Sequence, residues 1–198
     1  MLKPLLALLA LALPAQAQNA AQVWTQQDFQ RLDEYDYSLG LALRKALAAG
    51  SSDAHDILLE AMEGEPIPID TEALLGEWRC QTIKLGGDLT PITAYSPFTC
   101  EITEEDGALW FHKRTGSQLT DGKLYADNGE RMVYLGVFHA SFNPPAAYED
   151  LPEITDVAAS PSHYPQPGFL EMVSENKARI GFPAPFYESD FDYLYLTR

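Results

Sequence analysis

The chain has 198 residues, and its 13 lysines and arginines against 29 aspartates and glutamates give a formal net charge of −16. This balance disfavours a cationic nucleic-acid-binding protein, because there is no basic excess to neutralise phosphates. Apolar residues make up 46% of the chain and aromatic residues 11%, which is enough to form a core and argues against intrinsic disorder. The length suits one domain.

Residues 1–17 have the pattern of a secretory signal peptide. Lys3 supplies the positive start, residues 5–13 are apolar but too few to span a bilayer, and Ala15 and Ala17 are the small residues before a cleavage site. We therefore predict cleavage after Ala17 and a periplasmic or secreted protein. The residue directly after the predicted cleavage site is not a cysteine, so we expect no membrane anchor.

The two cysteines, Cys80 and Cys100, lie in segments with strand-like sequences. In an oxidising compartment an even pair of cysteines indicates a disulfide. A redox-active pair is less favoured, because the spacing is not Cys-x-x-Cys. The histidines lack the short spacings of metal ligands, so we predict no metal and no cofactor.

A helical segment is predicted at residues 18–64. Thr25 and Asp28 have the pattern of a capping box that starts one helix, and Gly50 is placed to end it. A shorter helix follows and ends at Gly64. Each helix has one apolar face, so each must pack on another apolar surface.

After a linker at residues 65–70, residues 71–198 form a predicted β domain. Eight segments have the sequence of strands: 77–85, 98–103, 108–114, 122–125, 131–138, 169–173, 178–182 and 191–197. Short turns rich in Gly, Asn and Asp separate most of them, which favours an antiparallel meander. Eight such strands can close into a barrel and leave no edges.

Some of these strands are apolar on both faces. Val133 and Val137 lie on one face of their strand and Tyr134 and Phe138 on the other. Such strands must be covered on both sides, which a barrel interior on one side and the N-terminal helices on the other would achieve. A β-sandwich with helices on one sheet is the alternative architecture.

The triplet Gly76-Glu77-Trp78 resembles the Gly-x-Trp motif that begins lipocalin-like (calycin) barrels. The resemblance implies an eight-stranded antiparallel barrel in which an arginine from near the chain end packs across the tryptophan. Arg198 is the residue that fits this structural role, with Trp78 as its partner.

Other stretches resemble an uncharacterised family of exported proteobacterial proteins, the domain-of-unknown-function family 4893. They are residues 79–80, 83–86, 97–100, 113–118, 134–136 and 182–189. This resemblance covers residues 79 to 192 and supports the β domain and the disulfide, but it implies no activity. Residues 139–167 depart most from the family pattern.

Candidate catalytic residues are few. His112, Ser117 and either Asp121 or Glu101 could form a set of base, nucleophile and carboxylate. Ser117 lies in a turn sequence, however, and not in the Gly-x-Ser-x-Gly context of many hydrolases. We therefore predict no catalytic residues.

The expected function is that of a binding module for a small apolar or amphipathic ligand. The predicted ligand-binding residues are aromatic and are placed at the barrel mouth: Trp110, Tyr134, Phe138, Tyr193 and Tyr195. The alternative is an inhibitor-type or interaction barrel that contacts an envelope protein through its loops, with the proline-rich connection 139–167 as the first candidate. A hydrolase is the third possibility.

Overall fold

The computed structural model describes residues 19–88, 90–156, 158–159 and 162–198. The predicted signal peptide, residues 1–17, lies outside the described residues. The described chain is mainly β: eight antiparallel strand positions close into a barrel, and short helices precede it. This architecture confirms the barrel predicted from the sequence and is not the alternative β-sandwich.

The helices of the described chain are α1 (Gln26–Asp33), α2 (Tyr35–Ala48), α3 (Asp53–Met62) and α4 (Thr71–Leu74), with short 3-10 turns at Ala20–Gln22 and Tyr148–Asp150. The strands are β1 (Gly76–Leu85), β2 (Ile92–Ala94), β3 (Phe98–Glu105), β4 (Ala108–Lys113), β5 (Gln118–Asn128), β6 (Arg131–Ala140), β7 (His163–Ser174), β8 (Lys177–Pro183) and β9 (Phe191–Thr197).

The barrel closes through β1, which pairs with β9 along one edge. On its other edge β1 pairs first with β3, around Trp78, and then with β2, around Lys84. The short strand β2 therefore shares a position with β3, and nine strands form an eight-stranded barrel. All pairings are antiparallel, and from β3 to β9 each strand pairs with the next one along the chain.

Large side chains fill the barrel interior. The ring of Tyr134 lies edge-on to Phe111 and Phe182, with centroid distances of 5.7 and 5.8 Å. The Tyr134 hydroxyl hydrogen-bonds the Thr120 hydroxyl at 2.8 Å. Gly136 makes room for this phenol, because a Cβ at Gly136 would overlap its oxygen. The middle of the barrel is therefore occupied by the protein's own side chains.

Helix α4 closes one end of the barrel, which we call the closed end. The Trp78 indole donates a hydrogen bond to the Leu74 carbonyl oxygen at 2.8 Å. The Arg198 guanidinium lies 3.9 Å from the centre of the Trp78 ring and donates to the carbonyl oxygens of Leu74 and Leu75. The two ends of the β domain thus meet around one buried tryptophan.

The disulfide predicted from the sequence is confirmed. Cys80 on β1 and Cys100 on β3 are bonded, and both are fully buried in the barrel interior. Cys100 lies directly opposite Trp78 on the neighbouring strand, and Cys80 is two residues after Trp78 on the same face of β1. Cys80 and Cys100 are therefore diagonal neighbours on one face of the sheet. The bond closes a loop of 20 residues that contains β2.

Helices and loops cover the outer wall of the barrel. Helices α2 and α3 pack on β1 and β9, where Ile83, Phe191 and Tyr193 are buried. Helix α1 and the turn at Tyr148–Asp150 cover β6, where Val133 and its outward neighbours are buried. Both apolar faces of these strands are therefore removed from water, as the sequence required.

One long helix from Thr25 to Gly50 was predicted, but the chain breaks at Glu34 into α1 and α2. The two helices cover different strands: α1 packs on β7, whereas α2 packs on β1, β8 and β9. A continuous helix could not follow both surfaces. The predicted cap is present, since the Thr25 hydroxyl accepts a hydrogen bond from the Asp28 amide.

Strand β7 begins at His163, six residues before the predicted start at 169. Pro165 and Pro167 suggested a loop there, because proline cannot donate to a ladder. Residues 163–168 pair only with β6, and pairing with β8 begins at Phe169. In residues 163–168 the edge of β7 that faces β8 therefore has no ladder hydrogen bonds. Proline, which has no amide hydrogen, is tolerated on such an edge.

Trp78→Ala is expected to lower the free energy of unfolding by roughly 3–5 kcal/mol, because it leaves a large cavity at the closed end. Urea denaturation followed by circular dichroism measures the loss. Trp110→Ala is the matched control, since Trp110 is only half-buried on the outer wall. A loss below about 1 kcal/mol for Trp78→Ala would contradict the packing described.

Candidate functional site

Two cavities of the described residues are lined by predicted ligand-binding residues. The first, the wall cleft, is a cavity of about 340 Å³ between the outer wall of β4–β6 and residues 145–149. The second, the mouth cavity, is a space of about 40 Å³ at the open end of the barrel. It lies beside a wider vestibule of about 500 Å³ that includes residues 185–190.

Trp110 is the principal aromatic surface of the wall cleft. It points outward from β4, is half-buried, and stacks in parallel with the His112 ring at a centroid distance of 6.2 Å. The Lys123 ammonium lies 5.0 Å from the Trp110 ring and donates to Glu149 Oε1 at 2.8 Å. Tyr125 also lines the cleft. The cleft thus combines an apolar floor with a charged rim.

A carboxylate bridges two histidines beside this floor. His112 on β4 is directly opposite Asp121 on β5, and the His112 Nδ1 lies 2.5 Å from Asp121 Oδ1. His139 on β6 is diagonal to Asp121, and its Nε2 lies 2.8 Å from Asp121 Oδ2. Burial alone would raise the pKa of Asp121, but the hydrogen bonds from the two histidines outweigh it and lower that pKa.

His139 connects the two sides of the wall cleft, which are the sheet and the covering residues 145–149. Its Nδ1 lies 3.2 Å from the carbonyl oxygens of both Ala140 and Asn143, which can only accept hydrogen bonds. Its Nε2 faces the Asp121 carboxylate. Both ring nitrogens of His139 therefore face hydrogen-bond acceptors. The chain from Asn143 leads directly to these covering residues.

The structure brings together only part of the catalytic set considered from the sequence. His112 and Asp121 are bonded, but the His112 Nε2 faces the Thr103 hydroxyl at 3.3 Å. Glu101 instead accepts from Arg114 at 2.9 Å. Ser117 lines a separate depression, next to Phe98 and Lys113.

The five predicted ligand-binding residues do not share one cavity. Trp110 lies in the wall cleft, and Phe138 lines the mouth cavity. Tyr134 is fully buried inside the barrel. Tyr193 and Tyr195 are on the outer wall beneath α2 and α3, and the Tyr195 hydroxyl donates to Glu60. Strand alternation correctly placed Tyr193 and Tyr195 on the same face of the last strand. That face is the outer wall, however, and not the barrel interior.

The mouth cavity contains two lysines from neighbouring parts of the barrel. The Lys84 ammonium lies 3.0 Å from Asp192 Oδ2 and 3.3 Å from Glu188 Oε2. Phe138 stacks on Tyr164 at a centroid distance of 4.2 Å and forms an aromatic side of the cavity. This end of the barrel is polar, whereas the closed end is apolar.

Lys113 differs from Lys84 because no carboxylate of the described residues pairs with it. Its buried ammonium donates to the Gln118 carbonyl oxygen at 2.6 Å and lies 4.1 Å from the Phe98 ring centre. Burial, together with repulsion from Lys84, lowers the pKa of Lys113 to about 8. Sequence analysis missed this residue, because an alternating strand pattern does not distinguish an inward lysine from a surface one.

These features define a class: an eight-stranded antiparallel barrel protein with a filled interior, a cleft on its wall and a polar open end. Residues 21–196 match the family described as Domain of unknown function (DUF4893), and the chain belongs to this family. The match confirms the family resemblance and extends it over the helices and over residues 139–167. No curated protein is significantly similar to the chain. Within the described residues, no helix is long and apolar enough to cross a membrane.

Asp121→Asn is expected to lower the free energy of unfolding at pH 7 by about 1–3 kcal/mol, because two charge-assisted hydrogen bonds are weakened. The folded-state pKa of Asp121 lies below its ordinary value of 3.8, so its stabilising effect is complete above that pH and is lost as the pH falls through the folded-state pKa. The difference between variant and wild type should therefore shrink in acid.

Urea denaturation between pH 7 and pH 2.5 measures this difference. Asp127→Asn is the control, since Asp127 forms a more exposed pair with Arg131. A deficit for Asp121→Asn that stays constant down to the lowest pH would contradict the bridging role.

Lys113→Met is expected to raise the free energy of unfolding at pH 7 by roughly 1–3 kcal/mol, because it removes a buried ammonium. The folded-state pKa near 8 is below the ordinary 10.5, so the unfolded wild type binds more protons between these values. Wild-type stability should then rise with pH over this range, whereas that of the variant should rise less. Urea denaturation from pH 7 to 10.5 tests this, with Lys123→Met as control; a destabilised Lys113→Met variant would contradict it.

Proposed function

We propose that the protein is a binding module for a small amphipathic molecule, which it holds in the wall cleft. One observation carries the proposal: the half-buried Trp110 ring forms the floor of a cavity of about 340 Å³. Ligand pockets commonly measure about 300–1,000 Å³ and are apolar with a few fixed polar groups. Around Tyr134 the barrel interior is filled by the rings of Phe111 and Phe182.

The polar groups at the rim favour a ligand with one flat apolar face. Such a face would lie on Trp110, as aromatic surfaces contribute much contact area at small entropic cost. His112 stacks beside the Trp110 ring, and the Lys123 ammonium lies 5.0 Å from that ring and could hydrogen-bond polar groups of the ligand. Both are themselves fixed, by Asp121 and Glu149. This arrangement favours orientation of the ligand and little reorganisation on binding.

We further propose that the protein works in the periplasm or outside the cell. The Cys80–Cys100 disulfide supports this, because such bonds persist in oxidising compartments. The signal-peptide pattern of residues 1–17 is a second, independent support.

Native mass spectrometry of the full protein, purified from the periplasm of the cells that produce it, tests these proposals. A reproducible small molecule should be released on denaturation, and the protein mass should correspond to cleavage after Ala17. Trp110→Ala should lose the molecule. Trp24→Ala, another half-buried tryptophan, should keep it.

A neutral amphipathic probe, N-phenyl-1-naphthylamine, provides a second measurement by fluorescence. Removing the Trp110 ring should weaken binding by about tenfold or more, the usual effect of losing an aromatic contact at a binding site. Equal probe binding by Trp110→Ala and wild type, or a released molecule that Trp110→Ala still retains, would contradict a site in the wall cleft. Empty protein that also fails to bind the probe would favour the loop-mediated interaction protein instead.

A further inference from the structure

The open end of the barrel contains a cation, the Lys113 ammonium, that no carboxylate of the described chain pairs with. Lys113 projects from β4 into the mouth cavity, and its ammonium is buried. An ammonium has three hydrogen-bond donors, but the Lys113 ammonium donates only to the Gln118 carbonyl oxygen among the described residues. A buried charge is costly unless it is paired. This site is therefore open to an anion.

The neighbouring charges leave this need unmet. Lys84 is the other cation of the cavity, and Asp192 is 3.0 Å from its ammonium. Glu188 is also on Lys84, at 3.3 Å. Of these groups, Lys84 repels the Lys113 charge and Asp192 attracts it, and their joint effect with burial is a pKa lowered to about 8. The charged residues that line the mouth cavity are Lys84, Lys113 and Asp192, which leaves one positive charge in excess there, because Glu188 lines the vestibule.

A second polar atom of the cavity has no partner. Gln166 projects from β7, and its Oε1 is buried without a hydrogen bond from any described residue. An amide oxygen is an acceptor, so it needs a donor. The mouth cavity therefore contains the Lys113 ammonium, which can donate to an anion, and Gln166 Oε1, which can accept from a hydroxyl or an amine.

The size of the space limits what can enter. The mouth cavity measures about 40 Å³, which is room for roughly three waters. Tyr134 and Phe182 fill the barrel below it, so an apolar tail cannot extend inward. The wider vestibule of about 500 Å³ leaves room for a larger group only on the outer side.

We infer that the open end of the barrel binds a 2-hydroxy or 2-amino carboxylate, with the carboxylate on Lys113 and the adjacent donor on Gln166. This second site is separate from the wall cleft, since it lies on the inner face of the sheet. The carboxylate neutralises the unpaired ammonium, and the hydroxyl or amine satisfies the unpaired amide oxygen. The ligand is either a free small acid or the end of a longer molecule that continues into the vestibule.

Titration of the full protein with three small probes, followed by nitrogen-15 NMR, tests the inference. Glycolate has both groups, acetate lacks the hydroxyl, and glycolamide lacks the charge. Glycolate should shift the amide signals around Lys113 and Gln166 and bind more tightly than acetate, whereas glycolamide should not bind. Mandelate, which carries a ring next to the hydroxyl, tells a longer ligand from a small acid: tighter binding than glycolate indicates use of the vestibule, and weaker binding indicates a small acid only.

Lys113→Met should weaken glycolate binding by at least about tenfold, the loss expected for one charge-assisted hydrogen bond. Lys177→Met, which changes a lysine of β8 that lines neither the mouth cavity nor the wall cleft, should bind glycolate normally. Carbon-13 NMR of the Lys113 side chain measures the pKa of its ammonium. Glycolate should raise this pKa, since a carboxylate favours the charged form, whereas a purely structural lysine would show no change.

Three results would overturn the inference. Glycolate binding that Lys113→Met leaves unchanged would contradict the anion site. Equal affinity for glycolate and acetate would contradict the role of Gln166. Failure of all the acids to bind at tens of millimolar would show that water alone occupies the cavity. These three results concern Lys113 and Gln166 at the open end and not Trp110 in the wall cleft. Failure of this inference can therefore be distinguished from failure of the proposed function.

Discussion

The burial of both faces of the sheet is the constraint on which the rest of the structure depends. Strands β1, β6 and β9 have apolar side chains on their inner and outer faces. The inner faces meet in a closed barrel, packed from Trp78 at the closed end to Tyr134 in the middle. The outer faces need a cover, which the helices and residues 146–151 supply. The buried residues thus form one cluster inside the barrel and two clusters between its outer wall and the cover.

This constraint decides where a binding site can lie. A barrel whose middle is filled by aromatic rings cannot hold a ligand there, so sites are confined to gaps in the packing. One gap is the wall cleft, where the cover stands away from β4 and β5. Another is the open end, where residues 163–168 of β7 are unpaired with β8. Polar networks occupy both gaps: Asp121 with two histidines in the first, and Lys84, Asp192 and Lys113 in the second.

The sequence predicted the features that depend on composition and local spacing. Strand alternation and short turns predicted the antiparallel barrel, and an even pair of cysteines predicted the disulfide. The faces of the last strand could not be assigned, because Tyr193 and Leu194 are both apolar enough to be buried. The bridge from Asp121 to His139 needed the pairing register of three strands. Asp121 also fell outside the predicted strand at 122–125, whereas β5 begins at Gln118.

Xenon binding to crystals of the protein under pressure tests the central claim most directly, because xenon enters apolar cavities that water leaves empty. A filled barrel predicts no xenon site among Trp78, Phe111 and Tyr134, and any site in the wall cleft would lie next to Trp110. A well-occupied xenon site inside the barrel beside Tyr134 would contradict the account. Such a site would show a cavity inside the barrel, and the barrel interior would then be the better candidate for the ligand site.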